Sequence, residues 1–303
     1  MAVSDRATGF IGLGKIGYPM AAHLYASGGR LTVYDLVPEQ TRRFATEHPG
    51  SIAAAGLGAF SEAAVVLTSL PDSTAVDSVI RGTATETGLI DILAAGSAVI
   101  DLSSAQPMRS RALARELGER GLHFLDAPVS GGVTRALDGS LTIMVGGDAV
   151  RYEEHRDLLH QIGSTVTYVG EAGAGHALKA LNNYVSASGL VATVEALLVG
   201  QEFGLDADVM VDVLNNSTGK NNTTENKVKQ FMLSGAFNSG FSLELMAKDI
   251  RTAVQLGESL GWEMRLGRAV VGVWSDAADA LPRTADHTEM HRYLQAIEKT
   301  LPA

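Results

Sequence analysis

Over its first half the chain alternates short apolar runs with stretches of helical periodicity. The runs cover residues 8–12, 31–35, 65–70, 98–104, 123–129, 141–146 and 165–170, each rich in Val, Ile or Leu and bounded by Gly, Pro, Ser or Asp. Runs that are apolar throughout belong to strands covered on both faces, and the helices between them supply the cover. The pattern predicts a largely parallel sheet with helices on both sides. After Gly173 the texture changes. Residues 174–203 read as one helix of about 45 Å. Helical segments follow near 206–214, 225–233, 241–260, 264–279 and 288–301, with no strand of comparable quality. The glycines of GEAGAG (170–175) mark a boundary, giving one domain over 1–172 and an all-helical domain over 173–303. The polar stretch 215–226 reads as a loop or a helix start.

Composition narrows the class. Hydrophobic residues make up 46% and charged residues 19% of 303, enough to fill the cores of two domains. The balance of 24 basic to 34 acidic residues gives −10, which disfavours a nucleic-acid or anionic-membrane partner. There is no cysteine. Disulfides, iron–sulfur clusters, thiolate zinc and cysteine nucleophiles therefore drop out, and the chain suits a reducing cytoplasm. The opening residues 1–8 carry no basic-then-apolar targeting pattern. The longest apolar tract, near 190–200, is broken by Glu195, so no membrane span is expected.

The first apolar run leads into Gly12-Leu13-Gly14-Lys15-Ile16-Gly17, a GxGxxG at a strand-to-helix junction. Gly12 permits the tight turn, Gly14 lets backbone approach a pyrophosphate, and Gly17 lets the helix pack closely on the strand. The helix N-terminus adds amide donors and a positive dipole end for phosphate. A lone GxGxxG also fits a plain glycine turn. Here Asp35 closes the second apolar run, 18 residues past Gly17, where a carboxylate takes the ribose hydroxyls of a dinucleotide. A P-loop also begins with this glycine spacing and lysine, but Ile16 stands where it needs Ser or Thr. Asp35 repels a 2′-phosphate, and Leu36 and Val37 offer no arginine to hold one. NAD is expected over NADP.

Two later stretches concentrate polar groups. In DAPVSGG (126–132), the amides of Ser130, Gly131 and Gly132 can form an anion-binding nest, although the string alone fits an ordinary strand-to-loop turn equally well. In GHALKALNN (175–183), Lys179 and Asn183 are spaced i, i+4 and share a helix face, with Asn182 beside them. A lysine by itself would usually mark a solvated face. His287 and His291 are also spaced i, i+4, but Glu289 is at the wrong offset for HExxH and no third ligand is apparent, so no metal site is expected. They read as a polar face of the last helix. Trp262 and Trp274 read as core or interface of the helical domain.

The ordered motifs GFIGLGKIGYPMAAHL (9–24), LP (70–71), IDLSS (100–104), DAPVSGG, GHALKALNN and FSLELMAKD (241–249) together resemble the β-hydroxyacid dehydrogenase family. That family includes the 3-hydroxyisobutyrate, tartronate-semialdehyde (2-hydroxy-3-oxopropionate) and 6-phosphogluconate dehydrogenases. The resemblance runs from Gly9 to about Leu294. It implies an α/β Rossmann dinucleotide-binding domain followed by an all-α C-terminal domain, with the active site in the cleft between them. It further implies Lys179 as the catalytic lysine and Asn183 as its neighbour on the substrate. Ser130, Gly131, Gly132 and Asn182 would hold the substrate acid. Leu70, Pro71 and Ser104 would line the cofactor, with Lys248 at its nicotinamide end. A homodimer or homotetramer is expected.

The chemistry fits those roles. Oxidising an alcohol needs a base for the hydroxyl proton while hydride leaves, and a lysine beside a cationic nicotinamide should have a lowered pKa. The nest and Lys248 would fix the acid and so choose which hydrogen faces the cofactor. The 6-phosphogluconate enzymes carry His where Asn182 stands and are longer, so sugar-phosphate decarboxylation is not expected. Imine reductases share the layout but lack the lysine. A cofactor-sensing relative without activity stays as the alternative of a different class.

Overall fold

The computed structural model describes residues 7–28 and 30–298. In the first half the elements run β1 (Thr8–Ile11), α1 (Gly17–Ala26), β2 (Leu31–Tyr34), α2 (Pro38–Glu47), β3 (Ile52–Ala53), β4 (Val65–Thr68), α3 (Ser73–Arg81), α4 (Leu89–Ile92), β5 (Ala98–Asp101), α5 (Pro107–Glu119), β6 (His123–Asp126), β7 (Val129–Ser130), α6 (Gly132–Leu137), β8 (Leu141–Gly147), α7 (Ala149–Leu159) and β9 (Gly163–Gly170). They build one sheet in the order β3-β2-β1-β4-β5-β6-β8-β7, with β9 paired to β8. From β3 to β6 every pairing is parallel; β8 runs antiparallel to β6 and β7 and parallel to β9.

The apolar runs have the physical cause expected of them. Along each central strand successive side chains leave opposite faces. Phe10, Leu67, Ile100 and Leu125 enter one core with Met20 and Leu24 of α1. Ile11, Val66, Val99 and Phe124 enter the other, with Ile80 of α3 and Leu113 and Leu117 of α5. Two strands escaped the hydrophobic pattern. β3 is two residues long with Ile52 exposed, and β7 is cut from β6 at Ala127-Pro128, where proline has no N–H for a ladder.

The second half holds α8 (Ala174–Glu202), α9 (Ala207–Asn215), α10 (Asn222–Asn226), a π-helical turn at Val228–Leu233, α11 (Leu243–Ser259), α12 (Arg265–Ala280), a 3-10 turn at His287–Glu289 and α13 (Met290–Glu298). Its core gathers Leu190, Val194 and Leu197 of α8 with Ile250, Val270, Trp274 and Met290. Contacts divide the chain into two compact units, one ending at Lys179 and the other starting at Ala180, so the division falls inside α8. By length and hydropathy α8 could cross a bilayer; its Leu190, Val194 and Leu197 lie in the core, while Leu178, Leu181, Val185 and Val199 are exposed.

Three expectations change. The helix expected over 225–233 starts at Asn222, where the Asn221 side chain accepts from the amides of Thr223 and Thr224, and it gives way to the π turn after Lys227. The last helix is preceded by a turn that Asp286 caps. His287 and His291 do not form a polar face: both are buried, packing near Phe241 and Phe237. Trp274 is core, whereas Trp262 is exposed.

Candidate active site

The residues expected to hold a dinucleotide lie at the carboxyl ends of adjacent parallel strands. The Gly12–Gly17 loop follows β1, Asp35 follows β2, Leu70 and Pro71 follow β4, and Ser104 follows β5. This is where the strand order turns from β1 toward β2 on one side and β4 on the other, the usual place for such a ligand. Gly12 takes φ +96°, and a Cβ there would stand 2.2 Å from the Ser69 carbonyl oxygen. A Cβ on Gly17 would stand 1.9 Å from the Gly12 carbonyl oxygen. Around Gly14 nothing lies within 4 Å of that position. Two glycines thus serve the protein's own packing, and the middle one borders open space. No side chain caps the start of α1, where Tyr18 and Met20 donate to the Gly14 and Ile16 carbonyls and Pro19 has no N–H, so an anion there would be met by the amides of the glycine loop. These features fit a pyrophosphate.

Asp35 accepts hydrogen bonds from the Leu13 amide at 2.7 Å and the Val37 amide at 2.8 Å, tying the glycine loop to the end of β2. A carboxylate has lone pairs left for two ribose hydroxyls. The nearest arginines are engaged elsewhere, Arg42 with Glu39 at 2.6 Å and Arg43 with Glu47 at 2.8 Å.

Ser130, Gly131 and Gly132 form the junction from β7 to α6, with φ of +137° at Gly131 and +67° at Gly132. Lys179 sits in the second turn of α8 and is 8% exposed. What fixes that helix start is Asp126, at the end of β6. Its carboxylate accepts from the Gly173 amide at 2.7 Å and the His176 amide at 2.9 Å, placing a negative charge at the helix N-terminus. Burial raises the pKa of Asp126, opposed by His176 and by those two amides. His176 is wholly buried. Its Nε2 donates to the Ser103 carbonyl at 3.0 Å, which leaves Nδ1 to accept from the Ser110 hydroxyl at 2.7 Å. Ser103 in turn accepts from the Leu70 amide at 2.9 Å. One polar network therefore joins the lysine's helix to the loops after β4, β5 and β6.

In the second unit Asn183 Nδ2 donates to Asp249 Oδ2 at 2.6 Å, and Asn182 donates to Asn183 Oδ1 at 3.2 Å. Lys248 Nζ lies 3.5 Å from Asp249 Oδ1. The structure thus brings Asn182, Asn183 and Lys248 together around a buried carboxylate. Asp126, His176 and Asp249 were not singled out in the sequence. All three stand inside the quoted motifs, and a polar residue embedded in an apolar motif was the available signal.

Residues 7–170 match the family described as the NAD binding domain of 6-phosphogluconate dehydrogenase, and residues 173–294 match that described as the NAD-binding of NADP-dependent 3-hydroxyisobutyrate dehydrogenase. The chain belongs to the β-hydroxyacid dehydrogenase family. Among its relatives, the 2-(hydroxymethyl)glutarate dehydrogenase of Eubacterium barkeri is 34% identical, with 82% of each chain covered. The NAD-dependent L-serine dehydrogenase of Pseudomonas aeruginosa is 33% identical over 88% of this chain and 90% of its own. The solved structure of the Mycobacterium tuberculosis 3-hydroxyisobutyrate dehydrogenase with L-serine superposes with a TM-score of 0.87 at 29% identity, covering 96% of this chain and 99% of that one. An imine reductase of Streptomyces aurantiacus, 22% identical with a TM-score of 0.62, shares the fold. This β-hydroxyacid dehydrogenase is therefore an NAD(P)-dependent oxidoreductase acting on a CH–OH group, with a Rossmann domain followed by a helical one.

Proposed function

We propose that the enzyme interconverts a short-chain β-hydroxy acid and its semialdehyde or keto acid, with Lys179 moving the hydroxyl proton. The observation that carries this is a buried lysine on a helix whose start is locked by the Asp126 carboxylate and the His176 side chain. The bound nicotinamide supplies the hydride acceptor or donor. In oxidation the Lys179 amine takes the O–H proton as the carbonyl forms; in reduction the ammonium returns it to the alkoxide oxygen. The amides of Ser130, Gly131 and Gly132 hold the substrate carboxylate. Asn183, fixed by Asp249, directs its remaining hydrogen-bonding capacity to the substrate, and Lys248 adds positive charge.

NAD is the preferred cofactor in this reading. Asp35 supplies a negative charge where a 2′-phosphate would sit, and neither nearby arginine is free. The segment matched to an NADP-dependent relative, 173–294, does not include this position. Candidate substrates are 3-hydroxyisobutyrate, L-serine and 2-(hydroxymethyl)glutarate, the acids that the relatives' names carry. Exposed apolar side chains, with Val199, Phe203 and Leu205 around one groove and Val209 and Val213 on α9, suit burial against a second copy, so the active form is a homodimer or homotetramer, in a reducing cytoplasm. Initial rates with such acids and both cofactors test the reading. Oxidation of none of them by either cofactor would sink it.

A further inference from the structure

The face of α8 that carries Asn183 continues to Ser186, three residues or about 4.5 Å of helix rise further on. Ser186 Oγ accepts a hydrogen bond from Lys227 Nζ at 3.3 Å. Lys227 is held there by its backbone: it ends α10 and leads into the π turn, an irregularity that often accompanies functional positions.

The surroundings of this lysine are unusual. Lys227 is half-buried, yet among the described residues no carboxylate lies within ion-pair distance of its amine. Asp286, the acidic group whose charge it feels, has its oxygens committed to Ser239, the Gly240 amide and Thr288. The neighbouring His287 adds no negative charge. Burial pulls the Lys227 amine down to about pKa 8, with Asp286 opposing. Lysines that only support a fold are normally paired or reach solvent, because a buried unpaired cation is costly. Among the described residues its hydrogen-bond partner is a neutral hydroxyl, whose own proton remains available to donate.

We propose that Lys227 and Ser186 receive a second carboxylate of the substrate, so that this enzyme's hydroxy acid is a dicarboxylate whose distal acid lies one helical turn beyond Asn183. One ammonium and one hydroxyl match the single charge and two oxygens of a carboxylate; a phosphate dianion would need more donors than they supply. The proposal rests on Asn183 contacting the substrate. It explains why a half-buried cation stands beyond it while Lys248 already faces Asp249.

The test compares 3-hydroxyisobutyrate with 2-(hydroxymethyl)succinate, which differs only by a carboxylate on the methyl arm, and with the homologue one methylene longer. The unmodified enzyme should show at least about a tenfold higher kcat/KM for one of the dicarboxylates, the scale of one hydrogen bond to a charged group. In Lys227→Met that ratio should fall by roughly 10- to 100-fold, through KM, and Lys227→Arg should restore part of it. Ser186→Ala, which leaves the lysine in place, should lower the ratio by roughly threefold or more and serves if Lys227→Met does not fold. Turnover of 3-hydroxyisobutyrate without a dicarboxylate preference, or a ratio unchanged in the folded variants, overturns this proposal and leaves the dehydrogenase reading standing. Turnover of none of the acids overturns both.

Discussion

At the scale of the residue, the tasks proposed for Lys179 and Asp35 are separable. Cofactor binding is assigned to the glycine loop and Asp35, and proton transfer to Lys179. Lys179→Ala should therefore keep NAD affinity nearly intact while turnover falls by about 10²–10⁴-fold, the usual cost of losing a general acid–base group. The oxidation rate of the unmodified enzyme should rise with pH as the lysine becomes neutral, and that rise should vanish in the same variant. Titration calorimetry with NAD beside stopped-flow turnover checks it, and a folded, NAD-binding variant that keeps its rate would remove Lys179 from the mechanism. Asp35→Ala should narrow the preference for NAD over NADP. Because Asp35 also braces the Leu13 amide, some loss of affinity for both cofactors should accompany that change. Equal kcat/KM for the two cofactors in the unmodified enzyme would contradict the assignment.

At the scale of the element, three glycines that look alike in sequence should respond differently to alanine. At Gly17 the added methyl would meet the Gly12 carbonyl, and at Gly175 it would lie 2.3 Å from the Met144 carbonyl oxygen and 2.6 Å from that of Asp126. Both are backbone atoms that cannot rotate away. Gly17→Ala and Gly175→Ala should each cost about 1–3 kcal/mol, read from urea midpoints at constant m-value. Gly14→Ala meets nothing. It should leave stability within about 0.5 kcal/mol of the parent and lower NAD affinity instead. Equal destabilisation at all three positions would show that Gly14 serves the fold and not the pyrophosphate. The Asp126 bonds to the start of α8 belong to this scale too, since they decide which way the first turns of the helix face.

At the scale of the whole molecule, acid should weaken the protein through its buried histidine. His287 has its pKa held down at about 4, chiefly by burial and then by the charge of Lys227, with Asp286 opposing. The unfolded chain therefore takes up this proton first, and stability declines as pH falls from about 6.5 to 4. Its share is about 3 kcal/mol. Asp126, raised by burial, acts in the opposite sense and offsets part of the decline. Urea unfolding of the parent and of His287→Leu between pH 7 and 4.5 separates the contributions. The variant should lose less, and parallel curves would rule His287 out as the cause. Assembly belongs here as well: with Phe203 84% exposed and Val199, Leu205, Val209 and Val213 exposed too, light scattering should give a multiple of 31.8 kDa at micromolar concentration.

The parallel sheet, the glycine loop and most of the helices could be read from the chain because each depends on neighbours in sequence. A strand buried on both faces has to be apolar throughout, and a phosphate loop has to carry its glycines at fixed spacing. Lys179 and Asn183 were legible for the same reason, being one turn apart on one helix. Their partners were not. Asp126 meets the His176 amide across 50 residues, Asn183 meets Asp249 across 66, and Lys227 meets Ser186 across 41. A polar residue with helical spacing looks the same in sequence whether water or another side chain receives it, which is why His287 and His291 read as an exposed face and proved to be buried. Tertiary packing decided which polar groups left water and what they met there. Hydrogen bonds and ionisation answer to distance and burial, neither of which a local pattern contains.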